Sequence, residues 1–117
     1  MPKYVAARAL QLVSSNVRNP RVLILGVAYK PGVSDVRETP VSELRDHLKE
    51  LGAQVSWHDP LVQNWEGSRQ VELGWDCDVA ILATMQPGMD LDQVIARSIP
   101  ILDCTNTLLN QTGVTYL

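Results

Sequence analysis

The sequence predicts a three-layer α/β fold, in which helices cover both faces of a parallel sheet and one further helix precedes the first strand. Two observations lead to this prediction. Short, nearly continuous aliphatic runs alternate with amphipathic segments, and such runs are typical of strands that are buried on both faces. The connections between the runs are long, which favours parallel pairing over hairpins. A chain of 117 residues has the length of one domain.

The first predicted element is a helix at the start of the chain. The apolar spacing that begins at Val5 and Ala9 predicts a helix over residues 3–15. Residues 16–20 break the pattern and set this helix apart. We therefore expect it to pack on a neighbouring domain rather than on the sheet.

The sheet region begins with the aliphatic run RVLILGVA, which predicts a strand over residues 21–28. The next helix is expected to begin near Thr39 and Pro40, because threonine caps helices and proline suits the first helical position. Gly52 is a natural stop for this helix, since glycine reaches the left-handed conformation without a Cβ clash.

The remaining elements complete the strand–helix alternation. The segment after residue 104 gives no clear pattern. The predicted elements are strands over residues 53–58, 77–84 and 100–104, a loop with a short helix within 61–74, and a short helix within 89–98.

Composition excludes several classes of protein. The formal net charge of −3 does not support a strongly basic face for nucleic acid. There is no apolar stretch long enough for a membrane span and no signal-peptide pattern, so we expect a cytoplasmic protein. Cys77 and Cys104 lie in or beside apolar runs, and we expect both to be small buried hydrophobes rather than a disulfide or metal ligands.

The segment GVAYKPGVSDVRETP, residues 26–40, is the most informative part of the sequence. A strand-to-helix connection usually has about two to six residues, and this one is longer. Only the first glycine of a G-x-G-x-x-G fingerprint is present, with Ala28 in place of the second. The sequence therefore predicts a Rossmann-like sheet that does not bind a dinucleotide in the usual manner.

Charged residues gather in the same segment, and two interpretations of them stay open. Lys30 can reach a phosphate or a sugar hydroxyl, and Arg37 offers a planar fork for a pyrophosphate or a carboxylate. Alternatively, Lys30 is a solvated surface lysine and Arg37 pairs with Asp35 or Glu38. The position of the segment after a strand, where α/β sheets bind ligands, makes the first interpretation as strong as the second.

The segment resembles the C-terminal domain of the UDP-glucose/GDP-mannose dehydrogenase family. Members carry a strand ending in G-x-A-[FY]-K, then D-[IV]-R-[EN]-[ST]-P, then a strand ending in [YW]-[DH]-D-P; this chain has GVAYK, DVRETP and WHDP. The opening MPKYV is similar to the family's M-P-x-Y-V. The resemblance runs from residue 1 to about residue 106.

The resemblance implies a site and a domain arrangement. Tyr29 and Lys30 would belong to the pocket for a UDP-sugar or GDP-sugar, and Arg37 would reach across an interdomain cleft toward NAD. Residues 1–19 would continue from an upstream domain, and residues 20–117 would form the nucleotide-sugar-binding domain. NAD would be bound mainly by the missing N-terminal domain, and the full-length enzyme would be a homo-oligomer.

Further residues receive structural roles under the same resemblance. The segment WHDP would form a turn at the end of a strand, with His58 in packing or hydrogen bonding rather than catalysis. The residues expected to organise the loop and the helix start are Asp35, Glu38 and Thr39.

The whole enzymes of this family oxidise a sugar C6 alcohol to a carboxylate in two NAD-dependent steps, through a thiohemiacetal on a cysteine. The G-G-x-C context of that cysteine does not occur in this sequence. We therefore expect a fragment that has no catalytic residues and is inactive alone. Members also commonly carry arginine at the position of Thr105, within DCTN, so nucleotide affinity is in question. GVAYK and HDP favour the UDP-N-acetylhexosamine branch over the UDP-glucose branch.

Two other functions remain open from the sequence. One is a non-catalytic nucleotide-binding or regulatory module of the same fold, in which Thr105 marks a weakened substrate site. The other is a structural role in which the first helix mediates assembly.

Overall fold

The structure is a computed structural model that describes residues 2–105, 108 and 113–116. Met1 of the MPKYV segment and Asn106 of the DCTN segment lie outside the described residues. The elements in chain order are α1 Pro2–Gln11, β1 Arg21–Leu25, α2 Val41–Glu50, β2 Gln54–His58, β3 Asn64–Trp65, β4 Ser68–Arg69, β5 Val79–Leu82, α3 Asp92–Ile95, β6 Ile101–Asp103 and β7 Val114–Tyr116.

A parallel sheet of five strands in the order β2-β1-β5-β6-β7 forms the centre of the domain. The alternating side chains of β1 pack into both faces: Val22 and Ile24 into one core, Leu23 and Leu25 into the other. This arrangement explains why β1 is aliphatic throughout. The predicted α/β fold with helices on both faces is confirmed, because α1 and α2 cover the first face and α3 lies on the second.

The first helix packs differently from the prediction. Val5, Ala6 and Ala9 are buried in the same core as α2, so α1 lies on its own sheet domain rather than on a neighbour alone. Small alanine side chains let the helix approach α2 closely, and this close packing was not apparent from the break at residues 16–20.

The short helix predicted within residues 61–74 is wrong, because the structure has no helix in this segment. It forms a β3–β4 hairpin whose turn residues Glu66 and Gly67 have φ values of 50° and 80°. Trp65 packs edge-to-face on Trp57 of β2, with ring centroids 5.8 Å apart. Positive φ at two consecutive positions favours a two-residue hairpin turn over a helix.

Strand and helix ends also differ from the prediction. β1 ends at Leu25 because Gly26 turns the chain at φ +82°. The helix expected within 89–98 is only Asp92–Ile95. The residues after 104, which the sequence left unassigned, include β7 at one edge of the sheet. Gly52 ends α2 as predicted, at φ +91°.

Candidate functional site

The candidate site lies where the strand order of the sheet reverses. The chain leaves β1 toward α2 on one face, and it leaves the neighbouring β5 toward α3 on the other face. Loops that diverge in this way open a crevice beyond the carboxyl ends of the strands, which is where α/β sheets bind ligands. The segment 26–40 borders this crevice.

Asp59 anchors the start of that segment. Its side chain is fully buried at the end of β2, and Oδ2 accepts hydrogen bonds from the backbone N–H groups of Val27 at 2.9 Å and Ala28 at 3.2 Å. Oδ1 accepts a third from the N–H of Leu61 at 2.9 Å. The turn role expected of the WHDP segment is therefore accompanied by a second role, because the same carboxylate fixes the loop after β1.

Gln86, in the loop after β5, anchors the far part of the segment. Its side-chain oxygen accepts a hydrogen bond from the N–H of Gly32 at 2.8 Å. Its amide nitrogen donates to the carbonyl of Val33 at 2.9 Å and to Oδ2 of Asp59 at 3.1 Å. Three segments that are distant in sequence thus meet at one side chain, which is 1% exposed.

Gly26 and Thr84 allow the chain to approach closely where it leaves the carboxyl ends of β1 and β5. A Cβ on Gly26 would lie 1.9 Å from the carbonyl oxygen of Thr84, so only glycine fits there. The Thr84 hydroxyl donates to the carbonyl of Ala28 at 3.1 Å. Since the N–H groups of Val27 and Ala28 are already engaged by Asp59, this turn has no such donors ready for a pyrophosphate.

Tyr29 and Lys30 form the tip of the segment. Both are exposed, Tyr29 to 61%. The N–H of Tyr29 donates to the carbonyl of Asp35 at 2.7 Å, which closes residues 29–35 into a compact loop. The Lys30 side chain has no ion-pair partner among the residues that the structure describes.

Arg37 pairs with Asp35, as the second sequence interpretation holds. Nε donates to Oδ1 and a terminal nitrogen donates to Oδ2 of Asp35, both at 3.1 Å. The hydrogen bonds from Arg37 lower the pKa of the Asp35 carboxyl, and those to Asp35 raise the pKa of Arg37. The pair is exposed, with 88% of the Arg37 side chain open to solvent, so its guanidinium can exchange this partner for another anion.

Only some of the residues predicted for the site line a common cavity. Tyr29, Asp35, Arg37 and Glu38 line one shallow cavity of about 340 Å³. Lys30 is not among its lining residues, although it neighbours Tyr29 in the chain.

The entry to α2 resembles the predicted one, shifted by a residue. Pro40 rather than Thr39 occupies the cap position, while the Thr39 hydroxyl accepts a hydrogen bond from the N–H of Val41 at 3.3 Å. Glu38 just before it has φ +55°, an unusual conformation for a residue with a side chain.

A second, mostly apolar cavity of about 260 Å³ adjoins Tyr29. It lies between the start of α1, the start of α2 and the carboxyl ends of three strands. Its lining residues include Val5, Ala28, Tyr29, Leu44, Thr84 and Cys104. An apolar cavity edged by the exposed ring of Tyr29 suits a ligand with a flat apolar part.

Asp103 organises the loop after β6 as Asp59 organises the loop after β1. It is fully buried, and its Oδ1 accepts hydrogen bonds from both the N–H and the hydroxyl of Thr105, each at 2.7 Å. Its Oδ2 accepts one from the N–H of Leu108 at 2.8 Å. Thr105 is therefore part of the loop structure.

Cys77 is buried, as the sequence predicts, whereas Cys104 is only partly buried at the margin of the first core. Cys77 and Cys104 are free thiols, and burial raises the pKa of each to about 11. His58 places Nδ1 2.8 Å from the carbonyl oxygen of Val71, which is a hydrogen-bonding role. Among residues 2–105, 108 and 113–116, no three His, Cys, Asp or Glu side chains are grouped to hold a metal ion. No helix in this described part is long and apolar enough to cross a membrane.

The sequence reasoning missed Gln86 and Thr84. Thr84 is the last residue of the strand predicted over residues 77–84, and this position at the carboxyl end of a strand is the available signal for it. Nothing local marks Gln86, because its partners are 27 to 54 residues away in the chain.

Comparison with known proteins agrees with the resemblance. The UDP-binding domain of the UDP-glucose/GDP-mannose dehydrogenase family matches residues 23–109. A UDP-N-acetyl-D-mannosamine dehydrogenase from Methanococcus aeolicus is 39% identical over 67 residues, which cover 56% of this chain and 15% of the relative. A UDP-glucose 6-dehydrogenase from Rhizobium meliloti is 27% identical over 70 residues, covering 60% of this chain and 16% of the relative.

Solved structures share the fold over nearly the whole chain. The UDP-N-acetyl-mannosamine dehydrogenase of S. aureus superposes with a TM-score of 0.76 at 17% identity, covering 98% of this chain and 30% of that one. A UDP-glucose dehydrogenase from Pyrobaculum islandicum superposes with a TM-score of 0.67 at 27% identity, covering 97% and 29%. The chain thus spans less than a third of these enzymes.

Proposed function

The chain belongs to the UDP-glucose/GDP-mannose dehydrogenase family, and on that premise we propose that it binds the nucleotide of a UDP-sugar for an NAD-dependent nucleotide-sugar 6-dehydrogenase. In the complete enzyme, the C6 alcohol of the sugar would be oxidised to a carboxylate. The observation that carries the proposal is the loop 26–35, which places Tyr29 at the edge of an apolar cavity at the reversal point of the sheet and exposes Lys30 as the next residue in the chain.

The proposed roles follow from exposure and charge. Lys30 supplies a mobile cation for the diphosphate, and Tyr29 offers a ring against the apolar cavity. Arg37 faces outward from a neighbouring cavity and would contact NAD held by another domain. GVAYK and HDP, together with the 39% identity to a UDP-N-acetyl-D-mannosamine dehydrogenase, support a UDP-N-acetylhexosamine as the substrate.

This chain alone is proposed to be inactive as a dehydrogenase. Its thiols have pKa values of about 11, so they are protonated near neutral pH and weakly nucleophilic. The turn after β1 is not shaped to hold a dinucleotide, because its N–H groups bond to Asp59. We propose that residues 1–19 join an upstream domain that binds NAD, that residues 20–117 form the nucleotide-sugar-binding domain, and that the complete protein is a cytoplasmic homo-oligomer.

Calorimetric titration with UDP, GDP and UDP-N-acetylhexosamines tests the binding proposal. UDP ligands should bind, and Lys30→Ala should weaken their affinity about ten-fold, as expected for loss of a charged hydrogen bond. Lys49→Ala is the matched control, because Lys49 is an exposed lysine near the end of α2, away from the crevice. Equal affinities in the wild type and Lys30→Ala would contradict the assignment of Lys30.

A non-catalytic nucleotide-binding module is the second candidate. The observation that favours it is Thr105, which is bonded to Asp103 where the family resemblance implies an arginine. The two candidates separate in a complete protein: the first predicts NADH formation from a UDP-sugar, and the second predicts binding without NADH.

A further inference from the structure

We propose that Gln86 is a positioning residue of the nucleotide site, which holds the loop bearing Tyr29 and Lys30 in its binding conformation. The inference rests on the proposed function, because it concerns the same site. The hydrogen bonds of the Gln86 side chain go to Gly32, Val33 and Asp59, and not to the two predicted ligand-binding side chains. Gln86 acts on the backbone that carries them.

The Gln86 side chain uses almost all of its capacity for hydrogen bonding. A glutamine amide has two N–H donors and one carbonyl oxygen. Both donors and the oxygen are used, toward Asp59, Val33 and Gly32. A side chain that is 1% exposed and fully engaged is held in one orientation.

The groups that Gln86 binds lie directly beside the exposed tip of the loop. Gly32 and Val33 follow Lys30 by two and three residues. On the other side of the tip, Asp59 and Thr84 fix the backbone at Ala28. Residues 29–31 therefore lie between two anchored points, and the Tyr29–Asp35 backbone hydrogen bond closes the loop on itself without tying it to the sheet. Loss of Gln86 frees one of the two anchored points.

The same contacts stabilise little of the hydrophobic core. Gly32 is exposed, and Val33 is half-buried and packs only at the margin of the first core, so loss of the Gln86 hydrogen bonds to these two residues removes no fully buried side chain from either core cluster. Asp59 also keeps its three backbone donors when Gln86 is replaced. We therefore expect a folded variant with a mobile loop.

The test is a double-mutant cycle that joins Gln86→Met with Lys30→Ala. Methionine keeps the length of glutamine but makes no comparable hydrogen bonds. Gln86→Met alone should weaken UDP binding about ten-fold, given two lost loop hydrogen bonds at a typical strength. In the Lys30→Ala background the same change should weaken binding less than about three-fold, because the cation that it positions is gone.

Two controls separate positioning from general damage. Gln93→Met replaces an exposed glutamine in α3 and should leave affinity unchanged. In Gln86→Met, amide exchange should accelerate at Gly32 while Ala80, bonded to Pro100 within the sheet, stays protected. If Gln86→Met does not fold, Gln86→Ala takes its place, since its smaller side chain lets water reach the groups left behind.

The outcomes distinguish this inference from the proposed function. Additive losses across the cycle, or full UDP affinity in Gln86→Met or Gln86→Ala, would overturn the positioning role and leave the binding proposal intact. A wild-type chain that binds no UDP would overturn both. Coupled losses with selective exchange at Gly32 would support both.

Discussion

The two edges of the parallel sheet are built from different interactions. At the carboxyl edge lie all the buried polar side chains of the described residues: Thr39, Asp59, Thr84, Gln86 and Asp103. The amino edge uses exposed charges instead. There Asp76, whose side chain is 79% exposed, lies 3.6 Å from both Arg21 and Arg97, and Arg21 stacks 4.5 Å from the ring centroid of Trp75.

The difference shows at which edge the positions of the polar side chains must be kept most accurately. Exposed ion pairs contribute about 0–1 kcal/mol and tolerate rearrangement. Buried polar groups must keep their partners, since leaving one unsatisfied costs about 1–3 kcal/mol. The buried hydrogen bonds, which are costly to break, therefore lie under the loops of the candidate nucleotide site. The exposed ion pairs, which can rearrange at little cost, lie at the opposite end of the sheet.

The largest expected difference between the two edges comes from two glycines with similar backbone conformations, one at each edge. Gly26→Ala should destabilise the domain by about 4 kcal/mol or more, because its Cβ would collide with the Thr84 carbonyl at the carboxyl edge. Gly52→Ala, at the amino edge, has φ +91° but meets no atom closer than 3.7 Å and should cost about 1–2 kcal/mol. Urea unfolding of both variants measures the difference, and equal losses would contradict the close approach.

Two aspartates provide the next comparison. Asp59→Ala removes the acceptor of four N–H donors and should lower the free energy of unfolding by about 3 kcal/mol. Asp76→Ala should lower it by about 1 kcal/mol or less, because its pairs are exposed. Thermal and urea unfolding provide the measurement. A smaller loss for Asp59→Ala than for Asp76→Ala would reverse the ranking of the edges.

The two cysteines give the smallest contrast, since Cys77 lies before β5 and Cys104 lies after β6. With pKa values of about 11, both thiols should alkylate roughly a hundred-fold more slowly at pH 8 than an ordinary thiol. The rates should rise with pH toward 11. Bound UDP should slow the reaction at Cys104, which lines the apolar cavity, and not at Cys77. Iodoacetamide labelling of Cys77→Ser and Cys104→Ser measures each site, and protection of Cys77 alone would contradict the location of the site.

The same thiols give a pH dependence of stability whose sign is fixed. Their pKa is raised in the folded chain, so the folded state holds protons that the unfolded state has released between about pH 9 and pH 11. Stability should therefore fall as pH rises through this window. A double Cys77→Ser, Cys104→Ser variant should lose this component of the decline in urea unfolding, and an unchanged decline would contradict it.

Much of the fold was predictable because local patterns determine it. Aliphatic runs marked β1, β5 and β6, and Gly52 marked the end of α2 and so the start of the segment that forms β2. The hairpin at residues 64–69 was not predictable in this way. Its two-residue strands are held by Trp57 and Arg45 from other elements, and short windows do not contain those partners.

The residues of the candidate site likewise differ in whether local sequence could predict them. Tyr29, Lys30 and Arg37 lie within one continuous motif, so the sequence identified them as candidates. Gln86 depends on a meeting of three segments, and only the folded chain shows that meeting.

The most direct test of the carboxyl-edge site is a UDP titration of the isotope-labelled chain, followed through backbone amide resonances. The predicted result is that shifts concentrate in residues 26–37, 84–86 and 103–105, while residues 76–78 and Arg97 at the amino edge stay unchanged. Shifts centred on the amino edge, or none at saturating UDP, would contradict the account.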